Sequence, residues 1–360
     1  MNRHLVRAFE DWTAGKRSAG LYRYGVFAKP ASWLYYLSAA RSSLNRRPLP
    51  RLSRARLVVV SSPLVGGVGK TPVAAYIAQA CRDRGLSAAI VTLGYGRTQR
   101  GTHAIQSDRD PILVDRVGDE AAELWRMTGI AVHVGDDPSI VIAELDQRGV
   151  AEVIVFDDGI SRSWEGERRV VVLSSFDLEQ PVRYLPDGRW RVPPEFVAKA
   201  ACVVVTGSPA TPEGVPADYR HRLASWGYEG PVACVHGRAT GLAGLNGGES
   251  SNAPSDVKGR SFIFCGLGRP DRFLEHVRTA GIDCGGARFF PDHHRYRRRD
   301  IDHLQKLRER SGSSWFLTTL KDAVKIDHAW VGSTPIFWMG MRLEQTSGDD
   351  LVSVVLNDRR

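Results

Sequence analysis

The chain has 360 residues, 42% apolar and 25% charged, which is the composition of an ordinary globular protein long enough for two domains, or for one large domain with an appendage. Forty-nine lysines and arginines against 40 aspartates and glutamates leave a formal charge of +9, which suits polyanionic partners without choosing among phosphates, anionic lipids and nucleic acid. The odd, widely spaced cysteines Cys81, Cys202, Cys234, Cys265 and Cys284 argue against a disulfide framework or a zinc site, and read as core thiols in a reducing compartment.

The first residues lack the apolar run and small-residue cleavage site of a secretory signal. No stretch reaches the roughly 18 apolar residues of a spanning helix. The segment "PASWLYYLSAARSSLNRR" sets Trp33, Leu34, Leu37, Ala40 and Leu44 near one helical face, followed by Arg41, Arg46 and Arg47. That pattern is expected of an amphipathic helix lying on a membrane surface, or alternatively of a helix packed on its own domain. Residues 1–47 are therefore read as a membrane-associating segment.

From Arg56 onward, apolar strands alternate with helical patterns, as in a parallel sheet covered on both faces. Strands are expected at Leu57–Val60, Ala88–Thr92, Ala131–Val134, Val153–Phe156 and Val170–Leu173, with helices such as Pro72–Asp83 and Glu120–Met127 between them. A second strand series begins near Cys202. The segment "PDGRWRVPPE" just before it is the expected join, giving a first domain over 48–200 and a second, smaller α/β domain over 201–360. "GLNGGESSNAPSD" (244–256) reads as a surface loop.

The stretch "LVGGVGKTPVAA" follows the strand "LVVV". A glycine-rich turn between strand and helix frees backbone N–H groups for phosphate oxygens, and the helix start adds positive potential. Gly66, Gly67, Val68, Gly69, Lys70 and Thr71 are thus read as a P-loop, with Lys70 on the outer phosphates and the Thr71 hydroxyl on Mg²⁺. Such a site needs a second carboxylate at a neighbouring strand end. "VIVFDDG" supplies Asp157 and Asp158 there, where ligands gather in open α/β sheets. "VGDE" places Asp119 and Glu120 at a helix start, where acidic residues also serve the dipole. "FFPDHHRYRRRD" sets Asp292, His293 and His294 after an apolar strand. Adjacent histidines on a strand suit acid/base or phosphate-positioning work better than joint ligation of one metal.

In this order, GGVGKTP, "GYGR" (94–97), VGDE, DDG, "LPDG" (185–188), FPDHH and "KDAVK" (321–325) resemble the tetraacyldisaccharide 4'-kinase family of lipid A biosynthesis, over nearly the whole chain. The resemblance implies a P-loop NTPase-type, doubly wound α/β enzyme of two lobes, held peripherally at the cytoplasmic face of the bacterial inner membrane by an N-terminal amphipathic helix. It implies transfer of the γ-phosphate of ATP, with Mg²⁺, to the 4'-hydroxyl of a tetraacylated glucosamine disaccharide 1-phosphate. Asp119 and His293 match the family's catalytic pair, and Glu120, Asp157 and Asp158 its metal-site carboxylates. Arg191 and His294 are expected at the substrate, and the protein is expected to act as a monomer without nucleic acid.

The chain departs from the family's pattern at several positions. Ser62 and Leu64 replace an asparagine and a threonine before the loop, and Leu93 replaces an arginine. Ile160, Ser161 and Arg162 replace Phe-Gln-His after DDG. Val192 and Leu320 stand where glutamates are expected. These changes leave open a degenerate or re-purposed member that binds nucleotide and membrane without turnover. A membrane-associated ATPase with a deviant Walker loop is a further alternative, weakened because Val65 replaces that family's signature lysine. A GTP switch fails on the spacing of "TLKD".

Overall fold

The computed structural model describes residues 48–106, 114–208, 214–245 and 256–356. The expected N-terminal helix and most of the expected 244–256 loop lie outside these residues. The chain enters through Ser53, Arg54 and Ala55, whose backbone N–H groups donate to the Asp146 carboxylate at 2.7–2.8 Å. It then forms β1 (Arg56–Ser61). Every residue of β1 from Leu57 onward is buried, as a strand covered on both faces requires. Val58 and Val60 face one core with Val73, Ala74 and Ile77 of helix α1 (Lys70–Asp83), and with Leu124 and Trp125. Leu57 and Val59 face the other with Val141, Ile142 and Leu145.

Around β1 lie β2 (Ala88–Thr92), β3 (His103–Ile105), β4 (Val132–Val134), β5 (Val153–Asp157), β6 (Arg168–Ser174) and β7 (Cys202–Thr206). The helices of this half are α2 (Val114–Val117), α3 (Asp119–Thr128), α4 (Pro138–Arg148), α5 (Ser175–Glu179) and α6 (Ala217–Ala224). The sheet continues through β8 (Val232–Gly244) to β12 (Ile336–Gly348), then β11 (Trp315–Thr319), β9 (Ser261–Cys265) and β10 (Cys284–Phe289). Helices α7 (Pro270–Thr279), α8 (Arg298–Arg310) and α9 (Leu320–Ala323) belong to this far half, and α10 (Leu351–Leu356) follows β12.

Among the described residues the pairings of these strands are parallel except β3 with β4 and β12 with β8. The antiparallel β8–β12 ribbon reverses strand direction. In a flat sheet it would send the carboxyl ends of β9, β10 and β11 away from those of β1 and β5. They face each other instead, since a Cβ on Gly268 would lie 3.9 Å from the Gly67 backbone nitrogen. The ribbon must therefore bend, and its register shifts at Gly340/Met341 and Gln345/Ser347 supply the irregularity that sheet bends use.

The cores change hands along this ribbon. Val232–Val235 pack in the first core and Leu242 in a far-half cluster with Ile263, Phe273 and Leu317. Sequence reading set the join at residue 200, yet β7 pairs with β6 over five residues and its valines share the first core. Leu351 and Val355 of α10 also return to that core. The "PDGRWRVPPE" segment serves a different purpose: it lies against the phosphate loop. Four cysteines are buried as expected, while Cys284 is exposed.

Candidate active site

The phosphate loop joins β1 to α1. Gly66 and Gly69 take φ of 88° and 93°, values that favour glycine and let consecutive N–H groups converge. Val65 N–H donates to the Arg189 carbonyl at 2.9 Å, and Arg189 Nε donates to the Val65 carbonyl at 3.1 Å. The Arg189 guanidinium also pairs with buried Asp177 at 2.7 Å. Leu64 is 1% exposed and bridges to Trp190. That bridge is made by the backbone, through Val65 N–H to the Arg189 carbonyl and Arg191 N–H to the Pro63 carbonyl, and both side chains belong to the first core.

Beyond the loop, the Thr71 hydroxyl donates to Asp157 Oδ2 at 2.8 Å. Lys70 Nζ lies 3.8 Å from Asp158 Oδ1. Arg191 binds the same Asp158 oxygen at 2.6 Å and the Ser62 carbonyl at 3.2 Å. Arg191 is therefore tied into the site through Asp158, which has φ of 63°. Burial pushes Asp158 up, but Lys70 and Arg191 outweigh it and hold the carboxyl below the usual range.

Asp157 differs. Burial, with the nearby Glu120 charge, pushes it up to about 7, and its Oδ1 is buried without a hydrogen-bond partner. Burial also raises Glu120. Crowded carboxylates with an orphaned oxygen beside a threonine hydroxyl are a donor set that suits a hard divalent cation. Among the described residues no group of three or more His, Cys, Asp or Glu could hold a metal alone. A Mg²⁺ carried by nucleotide phosphates needs only one or two protein oxygens.

Asp119 begins α3. Its N-cap Gly118 has φ of 90°, and a Cβ there would lie 2.6 Å from the Tyr95 carbonyl, so the GYGR turn and the VGDE turn interlock. Asp119 is 4% exposed. His293, on the turn after β10, brings Nδ1 to 2.8 Å from Asp119 Oδ2, with the Tyr95 ring 4.7 Å from the imidazole. Burial raises Asp119, but the His293 hydrogen bond and the charges of His293, Lys321 and Lys325 hold it below the usual range. Two lysines of "KDAVK" complete the cluster: Lys321 touches Asp292 and His293, and Lys325 lies 4.0 Å from Asp119. Neither lysine was expected at the site from the motif alone.

His294, expected at the substrate, does not join the cluster. Its ring stacks on Phe290 at 4.5 Å and its Nε2 lies 3.2 Å from Asp300 Oδ2. The left-handed turn at His293, φ 57°, sends the two neighbours to different surroundings.

Residues 25–358 match the family model described as Tetraacyldisaccharide-1-P 4'-kinase. The chain belongs to this kinase family. The tetraacyldisaccharide 4'-kinase of Dechloromonas aromatica is 32% identical over 312 residues, 85% of each chain. That of Anaeromyxobacter dehalogenans is 32% identical over 299 residues, covering 81% of this chain and 78% of the relative. The crystal structure of the "apo" form of LpxK from Aquifex aeolicus in complex with ATP shares the fold, with a TM-score of 0.66 and 21% identity over 88% of this chain and 93% of that one. Family membership accords with the doubly wound P-loop architecture and with a kinase. It also narrows the alternatives, since the deviant-Walker resemblance spans only six residues.

Proposed function

We propose that this chain transfers the γ-phosphate of ATP to the 4'-hydroxyl of a tetraacylated glucosamine disaccharide 1-phosphate in lipid A biosynthesis. The observation that carries the reading is the Asp119–His293 pair, whose far-half turn is brought against the near-half phosphate loop. Family membership supplies the substrate class.

Gly66 to Thr71 cradle the triphosphate, and Lys70 neutralises its outer charge. Thr71 and Asp157 would hold Mg²⁺ together with the nucleotide phosphates, with Asp158 and Glu120 as the acidic groups around them, and the ion would supply charge neutralisation on the phosphate oxygens when bound. Asp119 takes the proton of the 4'-hydroxyl as its oxygen bonds to the γ-phosphorus. The bond from that phosphorus to the β–γ bridging oxygen breaks, and its electron pair leaves with ADP. Asp119 suits the task because it is kept ionised while largely shielded from water.

Residues 1–47 are proposed to hold the chain peripherally at the cytoplasmic face of the inner membrane, as a monomer. Among the described residues no helix is long and apolar enough to cross a membrane. Purified protein with ATP, Mg²⁺ and the disaccharide 1-phosphate is expected to yield a product one phosphate heavier by mass spectrometry. Intact nucleotide binding with no product would instead support the degenerate reading. Deleting residues 1–47 is expected to release the protein from membranes, and full retention would refute the anchor.

A further inference from the structure

A cavity of about 300 Å³ lies at the outer edge of the sheet, between α4 and the strands β3 and β4. Ala104 of β3 pairs with His133 of β4, so the edge strand sets only a methyl group beside the imidazole. Val141, Glu144, Leu145 and Arg148 of α4 also line the space, at the i, i+3, i+4 and i+7 spacing of one helix face. Val141 and Leu145 continue into the core they share with Leu57 and Val59. Glu144 and Arg148 add charge to the same wall.

His133 is 5% exposed, and its Nε2 is buried without a hydrogen-bond partner. A native interior rarely leaves such an atom unpaired. Burial, and after it the Arg148 charge, hold His133 below the usual imidazole range. Arg148 itself makes no hydrogen bond or ion pair among the described residues, although Glu144 stands at the i, i+4 spacing that would allow one. From α2, Arg116 Nε donates to His103 Nδ1 at 3.2 Å, while His103 Nε2 donates to the Arg100 carbonyl at 3.0 Å. His103 is thus a neutral acceptor, and the charge of Arg116 stays uncompensated. With both imidazoles neutral, the cavity carries two guanidiniums against one carboxylate.

Guanidinium forks match the oxygens of phosphate and carboxylate groups. A cation fits less well, since among the described residues no group of three or more His, Cys, Asp or Glu could hold a metal. A basic residue in the last turn of a helix serves the dipole, which accounts for Arg148 alone. It accounts neither for Arg116 nor for the orphaned nitrogen of His133. The volume lies at the lower bound of small-molecule sites, which favours a phosphate with at most a short organic stem over a nucleotide.

We infer that this cavity is a second anion site, which takes inorganic phosphate or a small phosphate monoester between Arg116, His133 and Arg148. It shares no residue with the phosphate loop or with the carboxylates around it.

The test uses the full chain with ¹⁵N-labelled histidine, its phosphate loop filled by Mg²⁺ and a non-hydrolysable ATP analogue, at constant ionic strength. The His133 ring signals are assigned by their loss in His133→Gln. Inorganic phosphate, and separately glycerol 3-phosphate, should shift those signals saturably and raise the pH at which the ring titrates, because an adjacent anion favours the imidazolium. Sodium chloride should do neither. Arg148→Gln should weaken phosphate binding roughly tenfold, the scale of one lost charge-assisted hydrogen bond, and Arg148→Lys should weaken it less. Because Arg148 is exposed, both variants should keep their Tm within about 2 °C of the parent, so a lost response reports the site and not the fold. A response to inorganic phosphate without one to glycerol 3-phosphate supports the site and confines it to the free ion. No saturable shift of His133 with either probe, or equal affinity in Arg148→Gln and the parent, overturns the inference.

Discussion

Asp119 and His293 are 174 positions apart in the chain and meet at 2.8 Å. Asp119 opens a helix beside the phosphate-loop half, and His293 closes a strand of the far half. Neither half holds the proposed catalytic pair alone, and its distance depends on the bend of the β8–β12 ribbon.

Replacing Asp119 by alanine removes the proposed proton acceptor and leaves the phosphate loop intact. Phosphoryl transfer is expected to fall by roughly 10²–10⁴-fold, with ATP affinity changed less than about threefold. Steady-state kinetics and nucleotide titration check this. Activity within a few-fold of the parent would end the base assignment.

The acidic cluster makes stability depend on pH. Burial, only partly opposed by Lys321, pushes Glu123 up to about 8. Unfolding releases this group to its ordinary value of about 4.3, so the folded state binds more protons and stability falls as pH rises from about 4 to about 8. Glu123→Gln, which mimics the protonated form, should raise the Tm relative to the parent at pH 8 and leave it nearly equal at pH 4. Equal Tm differences at both pH values would show that Glu123 titrates normally.

Gly118→Ala tests the interlocked turns. The new Cβ would sit 2.6 Å from the Tyr95 carbonyl at φ 90°, and the strain should cost on the order of 3 kcal/mol. Denaturant unfolding should show that loss, and kcat should fall with it because Asp119 is the next residue. A stability within 0.5 kcal/mol, the level of an ordinary surface change, would contradict the clash.

Asp146 receives Ser53 N–H and Oγ–H together with Arg54 and Ala55 N–H, all within 2.9 Å. Burial raises its carboxyl, but these donors outweigh it and hold it below the usual range. Its contribution is therefore present above the ordinary value of about 3.9 and is lost as pH falls through the lower folded value. Asp146→Ala should destabilise by about 2–4 kcal/mol at neutral pH. The gap from the parent should narrow in acid, and a gap independent of pH would contradict the charge-assisted role.

The phosphate loop, Asp157–Asp158 and the α3 start were legible because each is written in a few consecutive residues. An apolar run, a glycine turn and a helix start leave little freedom. The β8–β12 ribbon was not legible, since its pairing joins strands about a hundred residues apart and its bend depends on register slips with no local pattern. For the same reason Lys321 carried no visible role: its contacts with Asp292 and His293 exist only once β10 and β11 flank β9 in one sheet. Arg189 and Trp190 looked like parts of a linker, because nothing in "GRWRV" says that it will lie along Leu64 and Val65. His294 was separated from His293 by a single backbone dihedral that the sequence does not display.

The return of α10 to the first core has a consequence for synthesis. Leu351 and Val355 fill space beside Val203 and Ala233, yet the ribosome makes them only after the whole far half. The far half is thus an insertion that can collapse first, while the nucleotide-binding half waits for its last apolar wedge. A nascent chain stopped just after β12, near residue 349, would carry every motif of the proposed active site and still lack the last apolar residues of the first core.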